Sequence, residues 1–200
     1  VANLQDIRRK NGKTAFAVRS SALSEDSAFA SFAGEVETVL DVHSDEAGRS
    51  AITQVYHSRE AERVKAYSQA KGLDEAHEIA VVVQELVRAE ISGILFTADP
   101  VTGNRFTMSG NYVYGFGEEL VSGEVEPYTF KLQRPKGSYQ GPKVLKRYGK
   151  QLYELAVRLE QELDGPQDIE WAIADGRLHL LQSRPVTTLV EFEPTTGEYN

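Results

Sequence analysis

Four side chains near the end of the chain could do chemistry together: Asp168 and Glu170 in Asp168-Ile-Glu-Trp-Ala, and Gln182 and Arg184 in Leu181-Gln-Ser-Arg-Pro. Strand side chains alternate between faces, so Asp168 and Glu170 share one face and Ile169 and Trp171 the other. Ala174-Asp-Gly between the two runs is a hairpin signal that makes them neighbouring strands. A carboxylate, an amide and a guanidinium then meet. That set suits a hard cation bridging phosphates: Mg2+ takes oxygen from one or two side chains and the rest from phosphate and water, while arginine grips phosphate as a planar fork. An ordinary solvent-facing hairpin is the alternative reading of the same residues. His179, two residues before Leu181, is expected on the face of Leu181 and not on that of Gln182.

Further cationic and polar candidates lie upstream. Arg19 leaves a strand, Ala17-Val-Arg-Ser-Ser-Ala, into a small-residue loop where a guanidinium and backbone N–H groups can surround phosphate; a surface arginine paired to Glu25 or Asp26 is the competing reading. Phe29 and Phe32 in that loop argue against a plain linker. Val82-Val-Gln-Glu-Leu-Val sits where an apolar strand runs out, and backbone groups there can read an adenine edge beside Gln84 or Glu85. Gly115-Phe-Gly-Glu lacks the strand-to-helix setting of a dinucleotide fingerprint, and no Walker A or nucleophile-elbow pattern occurs. His43, His57, His77 and His179 show no metal-ligand spacing and read as surface or boundary residues.

Composition narrows the classes. With 200 residues the chain can bury a sizeable core, and 40% hydrophobic with 26% charged residues is globular composition. A net charge of -8 argues against a general nucleic-acid surface, so any phosphate must be held by local cations and metal. The absence of cysteine removes disulfides and thiolate chemistry. No apolar run approaches membrane-spanning length and no signal-peptide pattern opens the chain, so a soluble, cytoplasmic protein without membrane or nucleic-acid partners is expected.

The elements that must position these residues alternate in type. Strands are expected over 14–20, 36–42, 78–87, 91–97, 104–114 and 128–132, with 78–87 apolar enough to be buried on both faces. Helical spacing predicts helices over 45–72 and 148–163, the first stopped by Gly72 and the second by Gly165-Pro166. Residues 134–149, with two prolines and several glycines, read as a loop. The stretch after Pro185 is polar and Pro/Gly-punctuated, giving one domain over 1–188 and a linker or tail over 189–200.

Taken in order, Ala17-Val-Arg-Ser-Ser-Ala-Leu-Ser-Glu-Asp, Ala30-Ser-Phe-Ala-Gly-Glu, Val83-Gln-Glu-Leu-Val, Ser92-Gly-Ile-Leu-Phe-Thr-Ala-Asp-Pro, Gly115-Phe-Gly-Glu and the hairpin motifs resemble the nucleotide-binding domain of the phosphoenolpyruvate synthase family. That family includes pyruvate phosphate dikinase and rifampicin phosphotransferase. The resemblance implies an α+β, ATP-grasp-like fold with mixed and antiparallel sheets and packed helices, ATP lying between two lobes. It implies phosphate contacts from Arg19 and Arg184 and a phosphate-covering loop and strand at Gly34 and Thr38. It further implies an adenine and ribose pocket lined by Gln84, Glu85 and Val87, and Mg2+ held on ATP by Glu170 and Gln182. The implied reaction is phosphoryl transfer from ATP to a histidine on a separate swivelling domain, which carries the group to an acceptor bound by a third domain. Pyruvate, rifamycin and glucan are all open as that acceptor. The family's upstream Gly-rich stretch with its phosphate-binding lysine is not matched by Lys10 or Lys13, so part of the N-terminal lobe is expected to be missing. A non-catalytic nucleotide-binding or interaction module is the alternative function.

Overall fold

The computed structural model describes residues 15–22, 38–69, 79–100, 102–116 and 126–186. The chain divides into two compact units, Val1–Val87 and Arg88–Asn200. Gly34, Phe29, Phe32, Lys10, Lys13 and the 189–200 tail lie outside the described residues.

In the first unit, strands β1 (Phe16–Ala22), β2 (Thr38–Val42) and β3 (Ile79–Glu85) form an antiparallel sheet in the order β2-β1-β3. Helix α1 (Asp45–Gln69) packs Ala51, Ile52 and Val55 onto Phe16, Val18, Val39, Val42, Val81 and Val83. Its start is set locally: Ser44 Oγ accepts the Ala47 N–H at 3.0 Å, and Asp45 and Glu46 meet the positive end of the helix dipole. The apolar β3 run is not buried on both faces, because α1 covers one and Val82 on the other is 43% exposed.

The second unit is a six-stranded antiparallel sheet in the order β7-β6-β5-β4-β8-β9. Its strands are β4 (Ile91–Phe96), β5 (Thr107–Tyr114), β6 (Tyr128–Gln133), β7 (Ser138–Gln140), β8 (Gln167–Ala174) and β9 (Arg177–Pro185). Two helices, α2 (Lys143–Lys146) and α3 (Gly149–Glu162), follow β7. Leu152, Ala156 and Leu159 recur at three- and four-residue spacing, so α3 lays one apolar stripe against Leu95, Met108, Tyr112, Phe130, Leu132, Ile169, Trp171 and Ile173. The stretch read as a loop over 134–149 therefore holds a strand and a short helix. Tyr139 pairs with Leu132 and stacks on Phe130, 6.1 Å between ring centres, which recruits β7 to the sheet despite the flanking prolines and glycines.

The hairpin expected at Ala174-Asp-Gly is present. Asp175 and Gly176 both take positive φ, 50° and 70°, as a two-residue turn matched to strand twist requires. From that turn the register runs Ala174↔Arg177 to Trp171↔Leu180, then shifts by one residue between Glu170 and Trp171 and continues Glu170↔Gln182 to Gln167↔Pro185. The β-bulge corrects one expectation. His179 pairs with Ala172, so it lies on the Asp168 and Glu170 face, the same face as Gln182, because Leu181 is the additional residue between them.

Candidate functional site

On β8 and β9 the bulge brings the four hairpin residues into two directly opposed pairs, Glu170 with Gln182 and Asp168 with Arg184. All four point away from the α3 face, since the intervening Ile169, Trp171 and Ile173 are fully buried in the core. Glu170 and Gln182 are half-buried. Their opposed oxygens are hard donors, and together with the phosphates and water of a bound nucleotide they fit Mg2+. Among the described residues no group of three or more His, Cys, Asp or Glu side chains forms a metal cage.

Asp168, a face-mate of Glu170 to which the resemblance gave no ligand-binding role, has distinctive chemistry. It is 8% exposed, and its Oδ2 accepts from Arg184 Nε at 2.8 Å and forms an ion pair with Arg184 Nη2, also at 2.8 Å. Oδ1 is buried without a hydrogen-bond partner among the described residues. Burial raises the Asp168 carboxyl above its ordinary pKa and Glu170 adds to this, while the Arg184 guanidinium opposes it. Arg184 is therefore braced on one edge of its planar fork. The strict alternation that marks Asp168 as a face-mate of Glu170 was the available sequence signal.

The same sheet face continues across β4, β5 and β6. Ile94 and Phe96 stand opposite Glu170 and Asp168, followed by Asn111 and Ser109, then Thr129 and Lys131. At its far side a polar hollow is lined by Asp99, Asn104, Thr107, Ser109, Lys131, Gln133 and Gln140. The Ser92-to-Pro100 motif is β4 and its turn: Asp99 Oδ1 accepts the Thr102 N–H at 2.9 Å. Gly115, opening the Gly-x-Gly stretch, receives the Ser92 hydroxyl on its carbonyl at 2.6 Å and donates its N–H to Glu90 at 3.0 Å.

The first unit holds the remaining candidates. Arg19 pairs with Thr38 on β2 and Val82 on β3, and Ala17 pairs with Gln84. Arg19, Thr38 and Gln84 thus share the face turned away from α1, whereas Glu85 pairs with Phe16 on the other row and Val87 follows the strand's end. The register unites Arg19, Thr38 and Gln84 and separates the Glu85 side chain from them.

These two faces, one carrying Arg19, Thr38 and Gln84 and the other Asp168, Glu170, Gln182 and Arg184, accompany a clear relationship to known sequences. Residues 1–150 and 136–197 match the family described as pyruvate phosphate dikinase, AMP/ATP-binding domain. A rifampicin phosphotransferase of Streptomyces sviceus is 36% identical over 97% of this chain and 26% of its own length. The rifampicin phosphotransferase of Bacillus subtilis is 34% identical over 93% of the chain and 25% of its own length. A probable phosphoenolpyruvate synthase of Pyrococcus abyssi is 36% identical over 88% of the chain and 26% of its own length. The chain spans about a quarter of the length of these curated relatives. It belongs to the pyruvate phosphate dikinase AMP/ATP-binding domain family, the nucleotide-binding domain of phosphoenolpyruvate synthase and rifampicin phosphotransferase-type phosphotransferases.

Proposed function

We propose that this chain binds Mg2+-ATP and presents it for phosphoryl transfer to a histidine on a separate swivelling domain, with the final acceptor bound by a further domain. The observation that carries the reading is the direct opposition of Glu170 and Gln182 beside the braced Arg184 on one polar face. In this reading Glu170 and Gln182 hold the cation, and Arg184, fixed by Asp168, grips phosphate. The first unit supplies Arg19, Gly34 and Thr38 for phosphate and Gln84 for the base or ribose. Glu85 and Val87 serve through backbone groups at the end of β3, in keeping with the position of the Glu85 side chain on the Phe16 row, away from Arg19 and Gln84. Mg2+, when bound, neutralises phosphate charge; the chain's own residues orient the nucleotide. Phosphoryl transfer depends on such positioning and charge neutralisation more than on a protein nucleophile.

The names of the relatives support a phosphotransferase that works as part of a longer assembly, with pyruvate or a rifamycin as acceptor classes. No helix among the described residues is long and apolar enough to cross a membrane, and the lack of cysteine suits a cytoplasmic setting. We take 1–188 as the nucleotide-binding region and 189–200 as a linker or tail.

Calorimetric titration with Mg2+-ATP tests the reading. Glu170→Ala is expected to weaken binding by at least about 100-fold, since losing only an outer-shell partner of a metal ligand already costs about 10- to 100-fold; unchanged affinity would remove Glu170 from the cation site. Phosphoryl transfer from ATP to a separately supplied phosphohistidine domain distinguishes a catalytic domain from a binding module.

A further inference from the structure

On the core side of the β8–β9 hairpin, behind Asp168 and Arg184, lies a buried polar cluster that the phosphate-binding reading does not use. Gln167 is fully buried and every polar atom of its amide and backbone is engaged. Its Oε1 accepts the Ser183 hydroxyl at 3.0 Å and its Nε2 donates to the Gly165 carbonyl at 3.0 Å. Its N–H donates to Thr97 Oγ1 and its carbonyl accepts the Thr97 N–H, both at 2.9 Å. Thr97 is itself fully buried, and its carbonyl accepts from Arg134 Nη2 at 3.3 Å.

Ser183 stands between Gln182 and Arg184, so its orientation dictates theirs. Without the bulge, the register set at the Asp175–Gly176 turn would carry on regularly. Gln182 would oppose Ile169, Ser183 would oppose Asp168, and Arg184 would oppose Gln167. That one-residue slip exchanges the faces. Ser183 would then point to the Asp168 side, out of reach of Gln167, while an amide and a guanidinium would turn toward the apolar core. In the observed register Ser183 opposes Ile169 and meets Gln167 diagonally on the core side. The Ser183–Gln167 bond belongs to the bulged register alone.

We propose that Gln167 and Ser183 are positioning residues: their hydrogen bond locks β9 in its shifted register and so keeps Gln182 and Arg184 facing Glu170 and Asp168. The consequence for nucleotide affinity rests on the functional reading above; the consequence for register does not. Ser183→Ala and Gln167→Met break the bond from its two ends, so failure of one variant to fold leaves the other. In the full chain, cross-strand backbone NOEs linking Glu170 with Gln182 and Asp168 with Arg184 should weaken in both variants. Links from Glu170 to Leu181 and from Asp168 to the backbone of position 183 should appear. Mg2+-ATP affinity should fall about tenfold, the scale of one buried hydrogen bond. Ser183→Thr, which keeps the hydroxyl, should restore both readouts. Wild-type NOEs retained in Ser183→Ala and Gln167→Met, even with lowered melting temperature, would overturn the lock. If the wild-type chain binds no Mg2+-ATP, the functional reading falls while the NOE pattern still decides the lock.

Discussion

The two sheets place their candidate residues by different means. In the first unit β1 and β3 pair regularly from Phe16↔Glu85 to Ala22↔Ile79, so plain alternation assigns Arg19 and Gln84 to one face and Phe16, Val18, Val81 and Val83 to the other. In the second, regular alternation from the β8–β9 turn would place Gln182 and Arg184 on the wrong face, and a bulge reverses the outcome. The β1–β2 pairing of the first sheet also shifts register between Phe16 and Val18, but β1 and β3, which carry Arg19 and Gln84, are paired without a break. A hairpin that must bury Ile169 and Trp171 while presenting a guanidinium on the opposite face uses a local irregularity and a buried polar cluster to hold it.

The sharpest way to break the contrast is to disturb the packing against which the second sheet is fixed. Gly93 on β4 lies between Trp171 and Tyr112; an added Cβ would sit 2.8 Å from the Trp171 ring and 2.9 Å from Tyr112 Cβ. Gly93→Ala should destabilise the chain by about 3 kcal/mol, the upper range for overpacking, read as a lowered midpoint in chemical denaturation. A neutral result would mean that β4 and β8 can separate, and the rigid hairpin would lose its footing.

The first sheet is tested by comparing neighbours. Gln84→Ala should weaken Mg2+-ATP binding about tenfold, in the range for a lost hydrogen bond with a partner left unsatisfied, while Glu85→Ala should change it less than about twofold. Equal losses would show that alternation does not sort function on β3.

Smaller effects sharpen the second region. Tyr112 is fully buried, its hydroxyl has no partner among the described residues, and burial, then neighbouring tyrosines, push its pKa up to about 12. Tyr112→Phe removes an unsatisfied polar atom and should leave stability unchanged or raise it by about 1 kcal/mol in thermal or denaturant unfolding.

Asp168 predicts a change in slope. Its folded pKa is raised, chiefly by burial, so the folded state holds the proton more tightly than the unfolded chain. Its ionisation therefore costs stability as pH rises above the unfolded value of about 3.9, with the full cost present above the raised folded value. Asp168→Asn cannot ionise. Its stability relative to wild type should increase across that interval and then level off, measured by denaturation at successive pH values. A difference independent of pH would assign the effect of the substitution to the lost Arg184 contact instead.

Much of this organisation is legible in the residues alone. The helix stripe of Leu152, Ala156 and Leu159 follows from helical spacing, and the Asp175–Gly176 turn from residues that tolerate positive φ. The 134–149 stretch reads as a loop because Pro and Gly mark where regular structure is interrupted, whereas the stacking of Tyr139 on Phe130 exists only once the sheet and α3 have formed the core in which Phe130 also meets Trp171. The half-exposed Val82 departs from expectation for a related reason: composition reports how apolar a strand is, not how many faces are covered.

By themselves, the amino acids determined which groups could bind a phosphate-bridged cation, that Asp168 and Glu170 share a face, and that β8 and β9 form a hairpin. Which face Gln182 and Arg184 take was decided only in the tertiary structure. Alternation is a local rule that counts residues from a turn, and one additional residue inverts it. The choice between registers is made by remote partners: the core that takes Ile169 and Trp171, and Gln167, which is satisfied by Ser183 only after the shift.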